Sequence, residues 1–312
     1  MAATTRGILF SHFLLQRPAQ STLKLIIFIY YTLLILLKSN LSQGAYLFNE
    51  FFTKSMEKTI NICYYKSNKK QRRIIMDTSL ILYTCTLLVG FLSLGAFLFF
   101  RVKKTDVKSL MFKAITSVMF ILTGVFLTIG KPSLYAGLIV AGLTCGILGD
   151  IWLDMKFMYR QDEKFLTNAG FISFAFGHFF YTAAIIAGAA PSFKAISLLP
   201  SLAVAVLAAL AVYFGEKLMK LNYGSYKMIS TLYGGLLFFV TVFGLFSCIF
   251  SGFSENIHLF VFFIGGVLFV ISDLILSGTY FGKGKNRPVD IVTNHISYYL
   301  AQFVIASSIL FM

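Results

Sequence analysis

Apolar residues follow one another along this chain in blocks of roughly 20, each long enough to cross about 30 Å of hydrocarbon as a helix. Eight such blocks are predicted as spans, over residues 77–100, 110–129, 134–155, 168–188, 194–214, 226–250, 257–278 and 291–311. Inside lipid a helix satisfies its own backbone polar groups, and five prolines in 312 residues leave that possible throughout. Most joining segments are short, so sequential spans pack antiparallel. The pattern predicts an all-α, polytopic transmembrane helical bundle.

Charge between the blocks orients them. The first loop carries Arg101, Lys103, Lys104 and Lys108, and the third Lys156, Arg160 and Lys164. The fifth carries Lys217 and Lys220, and the seventh Lys283, Lys285 and Arg287. The even loops hold Lys131, Lys194 and, in the last, no Lys or Arg. The positive-inside rule puts the odd loops in the cytoplasm.

The first 75 residues conflict with that orientation. A shorter apolar run, Leu23 to Leu37, is followed by Lys66, Lys69, Lys70, Arg72 and Arg73 immediately before the first span, on the side the core assigns to the exterior. We therefore expect residues 1–75 to form an N-terminal extension outside the mature protein, and residues 76–312 the eight-span domain. Met76 is the expected true start. A cleaved or tail-like extension and a ninth span are the alternatives.

Two carboxylates lie where carboxylates are rare. Asp150 closes an apolar run in GLTCGILGDIWL, and Asp273 sits inside another in GGVLFVISDLIL. An ionisable group at bilayer depth costs at least about 2.5–3.5 kcal/mol on insertion scales and usually has a partner and a task. Gly149-Asp150 followed by IWL is echoed by Ser272-Asp273 followed by LIL. Spans three–four and seven–eight are thus candidate members of a four-plus-four parallel repeat, a device of membrane proteins.

The topology gathers other polar residues beside the aspartates. His178 and Tyr181 are three apart on one face of span four. Span eight brings His295, Tyr298, Tyr299 and Gln302 within its first turns, and Lys113 opens span two from the same side. These residues converge on the cytoplasmic half of the bundle. Each also has a plainer role: pairing Asp150 with Lys113, packing aromatics at the headgroups, or Gln302 binding helix to helix. Asp154, nearer the loop, is expected to be solvated.

Composition narrows the class. With 58% hydrophobic, 17% aromatic and 12% charged residues the chain is neither an ordinary soluble domain nor disordered. A net charge of +15 comes from loop cations that face anionic headgroups, so no nucleic-acid partner is expected. Cys63, Cys85, Cys145 and Cys248 lack CxxC or zinc-like spacing. No P-loop, dinucleotide fingerprint, HExxH or GxSxG occurs. Neither a cofactor nor a metal is expected.

GILGDIWL, the span-four FGHFFYTAA, ISDLIL and the closing SYYLAQFVIASS, in that order over roughly residues 105–312, resemble the YhhN family of lysoplasmalogenases. The resemblance implies an eight-span membrane enzyme that hydrolyses the vinyl ether bond of lysoplasmalogens. Its products would be a fatty aldehyde and glycerophosphocholine or glycerophosphoethanolamine. It also implies that Asp150 and Asp273 are the essential pair. The family's Lys-Pro at the start of span two is Lys113-Ala114 here.

Two carboxyl groups suit that reaction. Protonating the β-carbon of a vinyl ether gives an oxocarbenium ion, to which water adds before the hemiacetal collapses. Glycosidases meet a related cation with two carboxylates in unlike surroundings. Asp273 is the expected acid and Asp150 the expected base. Lys113 would bind substrate phosphate, while His178, Tyr181, Tyr298, Tyr299 and Gln302 bind or orient.

The expected partners are a lysophospholipid and membrane lipids. The expected location is a bacterial cell membrane, with oligomeric state left open. The rival reading is a proton-coupled transporter of a small or lipid-like solute, since buried acids with a histidine also serve transport. A third is a lipid-binding or assembly protein without catalysis.

Overall fold

The computed structural model describes residues 69–103, 107–190, 192–282 and 287–312. The chain divides into two compact units, residues 1–74 and 75–312, and the bundle is the second. The expected extension over residues 1–75, with its apolar run at 23–37, lies outside the described residues as far as residue 68.

Eight α-helices occur among the described residues: α1 (Lys69–Lys103), α2 (Val107–Gly130), α3 (Leu134–Met155), α4 (Glu163–Ala189), α5 (Leu198–Gly215), α6 (Lys227–Ser251), α7 (Ile257–Phe281) and α8 (Pro288–Ser307). They coincide with the eight apolar blocks. Seven of them, α1 to α7, are long and apolar enough to cross a membrane. The 20-residue α8 is diluted by Asn294, His295, Ser297, Tyr298, Tyr299 and Gln302, and all six are buried. It is polar because it faces the interior of the bundle, not because it lies outside it. The molecule is a multi-pass helical membrane protein.

Helix starts follow local sequence. The Ser133 hydroxyl caps α3 by accepting the amide of Ala136 at 3.1 Å. At α8, Pro288 occupies the first turn. The Asp290 carboxylate there accepts the Arg287 amide at 3.1 Å and pairs with its guanidinium at 2.9 Å.

Helix α3 is the axis of the bundle, buried along most of its length. Its glycines admit large neighbours. A Cβ on Gly142 would lie 2.2 Å from the Tyr181 ring, one on Gly149 2.5 Å from Phe174, and one on Gly146 3.0 Å from Nε2 of Gln302. The GxxxGxxG run is therefore a groove cut for three side chains of α4 and α8. Backbones also approach closely. The Cβ position of Gly177 on α4 is 3.1 Å from the Gly142 carbonyl, and that of Gly265 on α7 is 3.1 Å from the Ala301 carbonyl of α8.

Helix α1 joins through side chains. Ser93 Oγ lies 2.8 Å from Thr116 Oγ1, and Thr123 donates to Thr86 at 3.1 Å. The α5–α6 loop folds under the end of α7. Asn222 donates its amide to the Phe281 carbonyl at 2.8 Å, and Tyr223 Oη lies 3.0 Å from Ser277 Oγ.

Candidate active site

Asp150 and Asp273 line one cavity of about 1000 Å³ at the end of the bundle that carries the odd-numbered loops. That size is at the top of the range of small-molecule pockets. One end of the cavity is ionic, with Arg101, Lys113, Asp154 and Lys156. The other is apolar, with Val204, Leu207 and Ala208 of α5 and Leu237 and Phe238 of α6.

The two aspartates have unlike surroundings. Asp150 Oδ1 lies 3.4 Å from the Lys113 ammonium, while its Oδ2 accepts hydrogen bonds from Ser117 at 2.8 Å and Tyr298 at 2.9 Å. A cation and two hydroxyl donors form a set suited to a carboxylate anion. Asp273 forms no ion pair among the described residues. Tyr233 Oη donates to its Oδ2 at 2.7 Å, and the carboxyl group is half-buried at the cavity wall.

Each aspartate is held from the helix before its own: Asp150 on α3 by Lys113 and Ser117 of α2, Asp273 on α7 by Tyr233 of α6.

Behind Asp150 runs a chain of hydrogen bonds. Tyr181 Oη donates to Gln302 Oε1 at 3.3 Å, Gln302 Nε2 donates to Tyr298 Oη at 3.0 Å, and Tyr298 donates to Asp150. Every link uses one donor and one acceptor, so each member fixes the orientation of the next. A second support comes from Tyr299, buried behind Ser117. Its hydroxyl lies 3.1 Å from Ser117 Oγ and 3.2 Å from the Lys113 carbonyl. Ser117 spends its proton on Asp150, and the single Tyr299 proton points to the Lys113 carbonyl with Ser117 Oγ beside it.

A model of the YhhN family matches residues 108–309, about two thirds of the chain. The chain belongs to the YhhN family. Neither a curated protein nor a solved structure matches it. In this YhhN-family member the matched segment contains both aspartates, Lys113 and the whole hydrogen-bonded chain behind Asp150.

The structure gathers most of the residues singled out from sequence, in two layers. Lys113, Asp150, Asp273 and Tyr298 line the cavity. Tyr181, Tyr299 and Gln302 stand behind them, fully buried. His178 reaches neither carboxylate: its Nδ1–H donates to the Phe174 carbonyl at 2.7 Å, and its ring packs on Tyr233 at 5.6 Å and Phe269 at 5.4 Å. It shores up the tyrosine that holds Asp273.

One expectation is overturned. Asp154 is not solvated but only 3% exposed, with Oδ1 3.2 Å from the Lys113 ammonium and 3.3 Å from Arg101. One helical turn from Asp150 places it on the same inward face, and the loop cations fold in over it. Lys113 is accordingly an internal counterion shared by two acids and not a free anion-binding group.

Ser117, Tyr233 and Asn294 also support the two aspartates, Arg101 and Lys156 line the cavity away from them, and sequence reasoning passed over all five. Asn294 Nδ2 donates to the Ser272 carbonyl at 2.7 Å, fixing α8 beside Asp273's neighbour. The available signal was spacing: Ser117 stands one turn after Lys113, and Arg101 and Lys156 are the cations flanking the ends of α1 and α3.

Proposed function

We propose that this YhhN-family protein is a lysoplasmalogenase-type ether hydrolase. Its reaction cleaves the vinyl ether of a lysoplasmalogen, in the cytoplasmic half of a bacterial cell membrane. The observation that carries this reading is the pair of aspartates with unlike partners, one beside a cation and one not, on one amphiphilic cavity. Family membership supports it, and so does the apolar end of the cavity, which suits an alkenyl chain.

In this reading Asp273, with one hydroxyl donor and no cation, delivers a proton to the β-carbon of the vinyl ether. The electron pair of the double bond takes up that proton and leaves an oxocarbenium ion. Asp150, held by Lys113, Ser117 and Tyr298, faces the cation as an anion and accepts a proton from the water that adds to it. The resulting hemiacetal loses the glycerol oxygen as an alcohol, and one water is consumed overall. Positioned acid–base groups of this kind contribute typically about 10²–10⁴-fold each.

The test is aldehyde release from lysoplasmenylethanolamine and lysoplasmenylcholine by the detergent-purified full chain, with the ester lysolipid as control. Aldehyde from the vinyl ether substrates alone supports the reading. A well-folded protein that releases none from either headgroup ends it.

A further inference from the structure

We propose that Lys156, Arg101 and Thr167 form a phosphate subsite at the ionic end of the cavity, which seats the phosphodiester of the lysolipid. The subsite rests on the reading of the cavity as a lysolipid site, and replaces Lys113 as the group that meets substrate phosphate.

Three cations line the cavity: Arg101, Lys113 and Lys156. Lys113 is committed to Asp150 and Asp154 at 3.4 and 3.2 Å. Arg101 commits only Nη2, to Asp154 at 3.3 Å; its Nη1 is buried and makes no hydrogen bond. Lys156 forms no ion pair among the described residues. Its ammonium sits instead 3.4 Å over the Tyr280 ring and 5.4 Å over Phe157, on a residue only 7% exposed. A buried cation with no carboxylate in direct contact is unfavourable, and the aromatic faces together with the more distant Glu163 and Asp154 offset part of that.

Both cations border the same ring, since Arg101 Cζ lies 4.9 Å over Phe157. From the start of α4, Thr167 presents a buried hydroxyl with no partner to the same cavity. An unpaired ammonium, an unused guanidinium N–H and an unused hydroxyl are the donors a phosphate monoanion takes. Asp154 and Glu163 oppose an anion here. Asp154 turns Oδ1 to Lys113 and Arg101, its buried Oδ2 has no hydrogen-bond partner and sets the limit of the subsite on that side, and Glu163 is exposed at the cavity rim.

The order of groups along α3 also fits. The phosphate end of a lysolipid lies three carbons of glycerol away from its vinyl ether oxygen. The subsite lies at the loop end of α3, beyond Asp150 and Asp154, leaving the apolar end of the cavity for the chain.

Two assays on the purified full chain separate this subsite from the reaction. The first measures binding of a non-hydrolysable 1-O-alkyl lysophospholipid and its competition by inorganic phosphate and by glycerophosphoethanolamine. The second measures KM and kcat for lysoplasmenylcholine beside phosphate-free 1-alkenylglycerol. Lys156→Met and Thr167→Val should weaken alkyl lysophospholipid binding about ten- to a hundredfold for the lysine and less for the threonine. KM for lysoplasmenylcholine should rise in step with little change in kcat, and 1-alkenylglycerol should be unaffected. Lys156→Arg should restore binding.

Competition by glycerophosphoethanolamine well beyond that by inorganic phosphate identifies the headgroup, and equal competition identifies a general phosphate site; both uphold the subsite. Equal losses on the phosphate-bearing and phosphate-free ligands, or none, overturn it. Lys156-dependent binding without aldehyde release would uphold the subsite and sink the reaction.

Discussion

Asp150 and Asp154, one helical turn apart on α3, share the ammonium of Lys113, at 3.4 and 3.2 Å. The two acids differ in their remaining partners: hydroxyls for Asp150, a guanidinium for Asp154. In the proposed reaction the first is the reactive group, and the second anchors the cations beside it. Asp154→Leu should therefore act on stability before chemistry. Removing one member of a buried ionic cluster costs about 3–5 kcal/mol, and adding Arg101→Met should recover much of that. Unfolding in detergent, followed for both variants, checks it; a greater loss in the double variant would refute the pairing.

Asp150→Asn and Asp273→Asn should each lower aldehyde release by about 10²–10⁴-fold, while thermal unfolding in detergent changes little for Asp273→Asn. Comparable activity in either variant would remove that residue from the chemistry.

Tyr233→Phe tests the Asp273 side alone. It deletes the single hydroxyl on that carboxyl group and keeps the ring contacts with Phe171 at 5.4 Å and His178 at 5.6 Å. The expected result is a drop in kcat of about tenfold, from loss of one hydrogen bond to an ionisable group, with an unfolding midpoint near wild type.

Gly142→Ala tests the groove in α3. Its methyl group would meet the Tyr181 ring at 2.2 Å, displacing the far end of the chain that leads through Gln302 and Tyr298 to Asp150. Overpacking of this kind destabilises by about 1–3 kcal/mol, and activity should fall with it. Gly95→Ala, where a Cβ meets nothing within 4 Å, is the matched control and should be silent in both readouts.

The subsite also predicts a pH dependence. Burial pulls the Lys156 ammonium down to about 8, against the opposing pull of Glu163 and Asp154 and with the repulsion of Lys113 and Arg101; Tyr280 and Phe157 supply only ring faces to it. Below that pH the lysine is charged and phosphate binding is at full strength; above it the charge is lost. KM for lysoplasmenylcholine, whose headgroup does not titrate, should rise as pH passes through about 8. In Lys156→Arg it should stay flat.

Much of the fold was legible because lipid imposes one solution on each apolar block. Spans ending at 100, 155 and 278 meet helices that end at Lys103, Met155 and Phe281. The aspartates were legible for the same reason, as ionisable groups out of place. What escaped was the fate of residues whose type is ordinary in their position. A serine such as Ser117 on a transmembrane helix usually bonds its own backbone, and Asp154, Arg101 and Lys156 stand at helix ends where charge is normally solvated. Their roles depend on how α1, α2 and α3 meet, which no local pattern records. His178 escaped in another way: its Nδ1 goes to the Phe174 carbonyl, and it meets the site only through the Tyr233 ring.

Helix α8 is too polar to qualify as a span by itself, and the groups that make it so are the ones that complete the site. Its residence in the bilayer thus depends on partners supplied by α2, α3 and α7, which must already be in place when it leaves the insertion machinery. Assembly of the cavity and retention of the last helix become a single event. A chain that fails to build the site would expose a polar, poorly anchored segment to the quality-control proteases of the membrane.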